Sequence, residues 1–81
     1  MKIQILGTGC PKCKLLYQNA KQACEEVGVQ CDIEKVEDIM RITEAGVMMT
    51  PALVIDREVK SVGKVLSVAD IRDLIEMDLA K

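Results

Sequence analysis

An apolar run, Ile3 to Leu6, ends in Gly7-Thr8-Gly9 and passes straight into Cys10-Pro11-Lys12-Cys13. Two glycines in three residues suit a tight turn out of a strand. Pro11 suits the first position of a helix, where its missing N–H costs nothing and its fixed φ is already helical. The start of the chain is therefore held to a strand–turn–helix unit with two thiols at the helix opening. A thiol in the first helical turn feels the partial positive charge of unpaired backbone N–H groups, which favours the thiolate. A second thiol three residues on lies about one helical turn away, within reach of a small disulfide ring. Lys12 and Lys14 add positive charge nearby. The arrangement reads as a redox switch in which Cys10 is exposed after the glycine turn and Cys13 is its less accessible partner.

Composition narrows the rest. A chain of 81 residues is read as one domain, 1–81, able to bury roughly 60% of its unfolded surface. Phe, Trp and His are absent and Tyr17 is the one aromatic residue, so the core must be aliphatic. Histidine catalysis and histidine metal ligation are excluded. The net charge of −2 is spread over both signs, with no basic stripe for phosphates, so no nucleic-acid partner is expected. The longest apolar run is far short of a membrane span, so no membrane partner is expected either. The N-terminus alternates like a strand where a signal peptide would have a continuous apolar stretch. A cytoplasmic location follows, and reducing conditions there favour a catalytic or metal-binding role for a close cysteine pair over a structural staple.

The pattern predicts one alternation of elements without repeats or linkers. A strand over Lys2–Leu6 leads to a helix from Pro11 to Val27, with Cys13, Leu16, Tyr17, Ala20, Cys24 and Val27 on one face and Gly28 as its stop. A second strand is expected from Val29 to Glu34, with Val29, Cys31 and Ile33 on one side. A short helix from Glu37 to Ala45 carries Ile39, Met40 and Ile42 and stops at Gly46. After Met48-Met49-Thr50-Pro51 comes an apolar strand, Ala52–Ile55, with the proline in the turn before it. Asp56-Arg57-Glu58 separates that strand from Val59–Gly63, which reads as a hairpin although its turn lacks Gly or Asn. Ser67, with Asp70 three residues later, resembles a capping box for a last helix whose stripe is Val68, Ile71, Leu74 and Ile75. Cys24 and Cys31 fall on core faces and read mainly as packing. Tyr17 reads as packing too, and Met48 and Met49 as core and rim packing more than a binding surface, although a flexible apolar lip beside a disulfide would suit varied protein partners.

The order β-α-β-α-β-β-α implies an α/β fold with a four-stranded mixed sheet and helices on both faces. It resembles a minimal thioredoxin-like domain, close in length to glutaredoxins and small redox-active-disulfide proteins. Two motifs carry the resemblance, Cys10-Pro11-Lys12-Cys13 after the first strand and Thr50-Pro51 before the third. The resemblance implies that Pro51 is a cis proline beside the disulfide and that Thr50 offers backbone groups to substrate, with Pro11 and Lys12 modulating the thiols. The chain departs from thioredoxins in having Gly9 where a Trp is usual and Gln4 where a buried Asp is usual. It departs from glutaredoxins in lacking a Gly-Gly pair at the last helix, where Gly63 stands alone. The implied activity is thiol–disulfide exchange with disulfide-containing proteins or small disulfides, using no metal or organic cofactor. The electron donor would be a thioredoxin-reductase-like flavoprotein or another dithiol. The competing reading is a soft-metal carrier holding copper(I) between Cys10 and Cys13, although that fold ends in a strand and this chain is expected to end in a helix.

Overall fold

In strand β1 (Lys2–Leu6), successive side chains point to opposite faces, and the chain has apolar residues for both. Ile3 and Ile5 belong to one core cluster and Leu6 to another. Such a strand must lie inside a sheet covered on both sides. The computed structural model, which describes residues 1–9 and 11–80, places β1 between β2 (Asp32–Val36) and β3 (Ala52–Ile55), with β4 (Glu58–Val62) at the edge beyond β3. β1 pairs with β2 in parallel, Lys2 facing Asp32 and Leu6 facing Val36. It pairs antiparallel with β3, Ile3 facing Ile55 and Leu6 facing Ala52.

Helices cover both faces of this mixed sheet, as the element order implied. Helix α1 (Pro11–Val27) and helix α3 (Val68–Leu79) share one side, where Leu16, Ala20, Ala23 and Cys24 meet Ile71 and Ile75 over Ile3, Ile5, Leu53 and Ile55. Helix α2 (Ile39–Glu44) lies on the other, where Ile42 and Val47 cover Leu6, Val36, Ala52 and Val54. Every residue of β3 is buried, which explains its unbroken apolar run.

β1, α1 and β3 occupy the residues that the pattern predicts. β2 does not: it begins at Asp32 and extends to Val36, instead of running from Val29 to Glu34. Residues 29–31 alternate like a strand but serve to turn the chain back from α1, with the Val29 N–H donating to the Cys24 carbonyl at 3.3 Å. Pairing can begin only where β1 offers a partner, and β1 starts at Lys2. α2 is shorter than the expected Glu37–Ala45 because the Asp38 carboxylate caps it, accepting from the Met40 N–H at 2.9 Å. The β3–β4 turn is tighter than expected. Asp56 and Arg57 alone make it, both at positive φ, 48° and 71°, as a two-residue hairpin of right-handed twist requires. Asp56 is held there by two bonds to Lys2: its N–H donates to the Lys2 carbonyl at 2.8 Å, and its Oδ1 accepts from the Lys2 N–H at 2.9 Å.

Ser67 caps α3 as predicted, its hydroxyl accepting from the Asp70 N–H at 3.2 Å. A bulge opposite Leu53 and Val54 sets Lys60 outside the β3–β4 register. Its ammonium reaches Asp78 of α3 at 3.0 Å, and both side chains are largely buried. That pair ties the edge strand to the last helix.

Candidate active site around Cys13

Where β1 ends, the ladder continues one residue further, because the Gly7 N–H donates to the Val36 carbonyl at 2.9 Å. This fixes Gly7 beneath the first turn of α1. A Cβ built on Gly7 would collide with Cys13 Sγ, and would stand 3.3 Å from Cys13 Cβ and 3.8 Å from Thr50 Cβ. Only glycine leaves room for the thiol, and the cysteine and the threonine converge on it from two different elements. Cys13 is 6% exposed and opens the buried stripe of α1.

Thr50 is brought here by strand pairing. Ala52 faces Leu6, so the two residues before β3 lie beside the turn after β1. The Thr50–Pro51 peptide is cis. Thr50 is exposed and Pro51 is fully buried, with its carbonyl accepting from the Gly63 N–H at 2.8 Å. Pro11 is the first residue of α1, and Pro11 and Lys12 are both exposed. Cys10, expected to be the exposed nucleophile, lies outside the described residues. Met48 and Met49 correct the packing expectation, since they are 94% and 62% exposed. They form an apolar lip before Thr50, with Met49 resting on Gly63.

A small cleft of about 30 Å³ opens beside Cys13 and is lined also by Gly7, Gly9, Lys14, Lys35 and Glu37. Lys35 is steadied by Tyr17, its ammonium 4.5 Å from the ring centroid, a cation–π contact on the wall of the cleft. The Glu37 carboxylate sits 3.9 Å from where a Gly9 Cβ would be. Neither Lys35 nor Glu37 is singled out by the sequence, because ending β2 at Glu34 leaves Lys35 in a loop and the pattern makes Glu37 the start of the second helix. The signal was the parallel pairing itself, which sets the carboxyl end of β2 beside that of β1, the place where open α/β sheets put their sites.

Gln4, at the position where thioredoxins usually carry a buried acid, donates from Nε2 to Glu34 at 3.1 Å. Glu34 is gripped by both guanidinium nitrogens of Arg41 at 3.2 Å. Hydrogen bonds from Arg41 first, then from Gln4, hold its carboxyl down at about 2. It therefore stays ionised at neutral pH and carries no proton.

A strand–turn–helix with a buried thiol at its start, set against a Thr-cis-Pro turn, on a β2-β1-β3-β4 sheet, defines a thioredoxin-like class of protein. The comparisons with known proteins agree. The family profile described as the thioredoxin domain matches residues 1–76. The chain is 41% identical over 75 residues to a thioredoxin of Methanothermobacter thermautotrophicus, covering 93% of this chain and 97% of that one. It is 44% identical over 71 residues to a thioredoxin of Methanocaldococcus jannaschii, covering 88% and 81%. The chain belongs to the thioredoxin family. The copper(I) carrier finds no support, since the family profile and both relatives are thioredoxins. No helix among the described residues is long and apolar enough to cross a membrane.

Proposed function

We propose that this chain is a cytoplasmic thiol–disulfide oxidoreductase that reduces disulfides in protein substrates through Cys10 and Cys13. The observation that carries the reading is the seating of Cys13 against Gly7 and beside Thr50, three residues after a cysteine that directly precedes α1. The Cys10 thiolate attacks one sulfur of the substrate disulfide. A mixed disulfide forms and the first substrate sulfur leaves as a thiolate. Cys13 then loses its proton and attacks Cys10 Sγ, releasing the second substrate thiolate and leaving a Cys10–Cys13 disulfide. Two electrons pass to substrate, and the two protons taken up appear on the released thiols. A thioredoxin-reductase-like flavoprotein or another dithiol returns the pair to its reduced form.

The surroundings support each role. Lys12, Lys14 and Lys35 supply positive charge that favours thiolate. Glu37 is the carboxylate lining the Cys13 cleft, and we assign it the proton that Cys13 gives up. Thr50 is exposed and presents its backbone to an extended substrate segment, pairing main chain to main chain with little demand on sequence. The exposed Met48 and Met49 offer adaptable apolar contact beside it. The test is to equilibrate the protein in graded redox buffers, trap its thiols and map them by mass. A Cys10–Cys13 bridge with disulfide-reductase turnover is expected. Turnover that survives loss of Cys10 would refute the assignment.

A further inference from the structure

The other two cysteines, at the far end of the same helix, meet each other. Cys24 lies in the core stripe of α1, and Cys31 stands just before β2, half-exposed and packed against that core. Gly28, at φ 80°, reverses the chain so closely that the N–H groups of Gly28 and Val29 both donate to the Cys24 carbonyl, at 3.0 and 3.3 Å. Residues 29–31 then fold back over the last turns of α1. The Asp32 N–H fixes the return by donating to the Met1 carbonyl at 2.9 Å. Cys31 thus packs against the core cluster to which Cys24 belongs, and neither thiol is engaged in a disulfide. An open depression lined by Met1, Gln30, Cys31 and Asp32 gives solvent access to Cys31 and not to Cys24.

We infer that Cys24 and Cys31 form a second redox-active dithiol, which low-molecular-weight disulfides oxidise to an intramolecular bridge tying the end of α1 to the start of β2. Exposure assigns the roles. Cys31, reached from solvent, attacks a sulfur of the small disulfide; a mixed disulfide forms on Cys31 and one small thiolate departs. Cys24 then gives up its proton and attacks Cys31 Sγ, expelling the second small thiolate. The dithiol loses two electrons and two protons, and one small disulfide becomes two thiols. Burial, the hydrogen bond that Cys24 donates to Cys31 and the charge of Cys31 push the Cys24 thiol up to about 12, so Cys24 acts second, on a neighbouring sulfur. Eleven helical steps, on the order of 16 Å at 1.5 Å each, separate Cys13 from Cys24. Cys13 and Cys24 are thus too far apart to exchange directly within one molecule, and this inference does not depend on the role of Cys10 and Cys13.

The experiment uses the full chain as a C10S/C13S variant, equilibrated with glutathione from fully reduced to fully oxidised, then alkylated, digested and mapped by mass. The two remaining thiols should disappear together, and a Cys24–Cys31 linked peptide should appear, while a further C31S change should leave Cys24 alkylatable at every ratio. Two thiols persisting in the most oxidising buffer, or glutathione left on Cys31 with Cys24 free, would overturn the proposal. Should the C10S/C13S variant fail to fold, the same mapping on the unaltered protein must give the Cys24–Cys31 peptide. Bridges from either residue to Cys10 or Cys13 would overturn it equally.

Discussion

Gly7 is the residue on which the site turns, because its missing side chain is what seats Cys13. Gly7→Ala puts a methyl group into the Cys13 sulfur, and both Gly7 and Cys13 are too buried to swing aside. The variant should lose about 1–3 kcal/mol by urea denaturation, the usual cost of overpacking, and lose reductase turnover with it. A fully active and equally stable variant would show that the thiol does not sit where Gly7 leaves room. Reactivity should divide the cysteines. Cys10 should alkylate first at neutral pH, whereas Cys24, held up at about 12, should react last, by peptide mapping across a pH series. Glu37→Gln should leave Cys10 alkylation unchanged while slowing turnover by about a hundredfold, the lower end of what a positioned base supplies. Unchanged turnover would remove Glu37 from the proposed mechanism.

At the scale of elements, β1 is the joint that everything else uses, and its face toward α2 carries a polar network as well as apolar packing. Glu34 of β2 gathers Gln4, Lys2 and Arg41. Its folded carboxyl, at about 2, lies below the unfolded value of about 4.3, so the network stabilises the fold fully above the unfolded value and progressively less as pH falls toward 2. The difference in thermal midpoint between the native chain and Glu34→Gln should therefore be constant near neutrality and shrink from about pH 5 downward. A difference that grows on acidification would contradict the pairing. Across the sheet, Leu16 is fully buried between α1 and the strands, and Leu16→Ala should cost about 2–5 kcal/mol. The elements were legible in the sequence wherever one residue decides the outcome. Pro11 starts α1, Ser67 caps α3, and the run Ala52–Ile55 admits only a strand buried on both faces. β2 was misplaced because Val29, Gln30 and Cys31 alternate as a strand does, and alternation does not show where a partner strand begins. Lys35 went unseen for the same reason, and Glu37 because it read as the start of the second helix when α2 begins at Ile39. The Cys24–Cys31 contact was hidden because seven residues apart, on a helix end and a loop, is a spacing that only the chain reversal at Gly28 turns into proximity.

Across the whole molecule, the sheet divides two cores, and its one end gathers the turn after β1, the start of α1 and the Thr50–Pro51 turn. The opposite end holds Cys24 and Cys31. Separate placement implies separate work, so the C24A/C31A double variant should keep disulfide-reductase turnover within about twofold while losing about 1–2 kcal/mol from the cavity left at Cys24. Lost turnover in a natively folded double variant would mean that the second pair, not the first, handles substrate. The central claim is that Cys10 attacks and Cys13 resolves. The most direct measurement is on a Cys13→Ser variant, incubated in reduced form with a disulfide-bonded protein substrate, quenched in acid and mapped by mass. A stable mixed disulfide between substrate and Cys10 is the predicted result, and adducts confined to Cys24 or Cys31, or continued turnover with no adduct, would contradict the account.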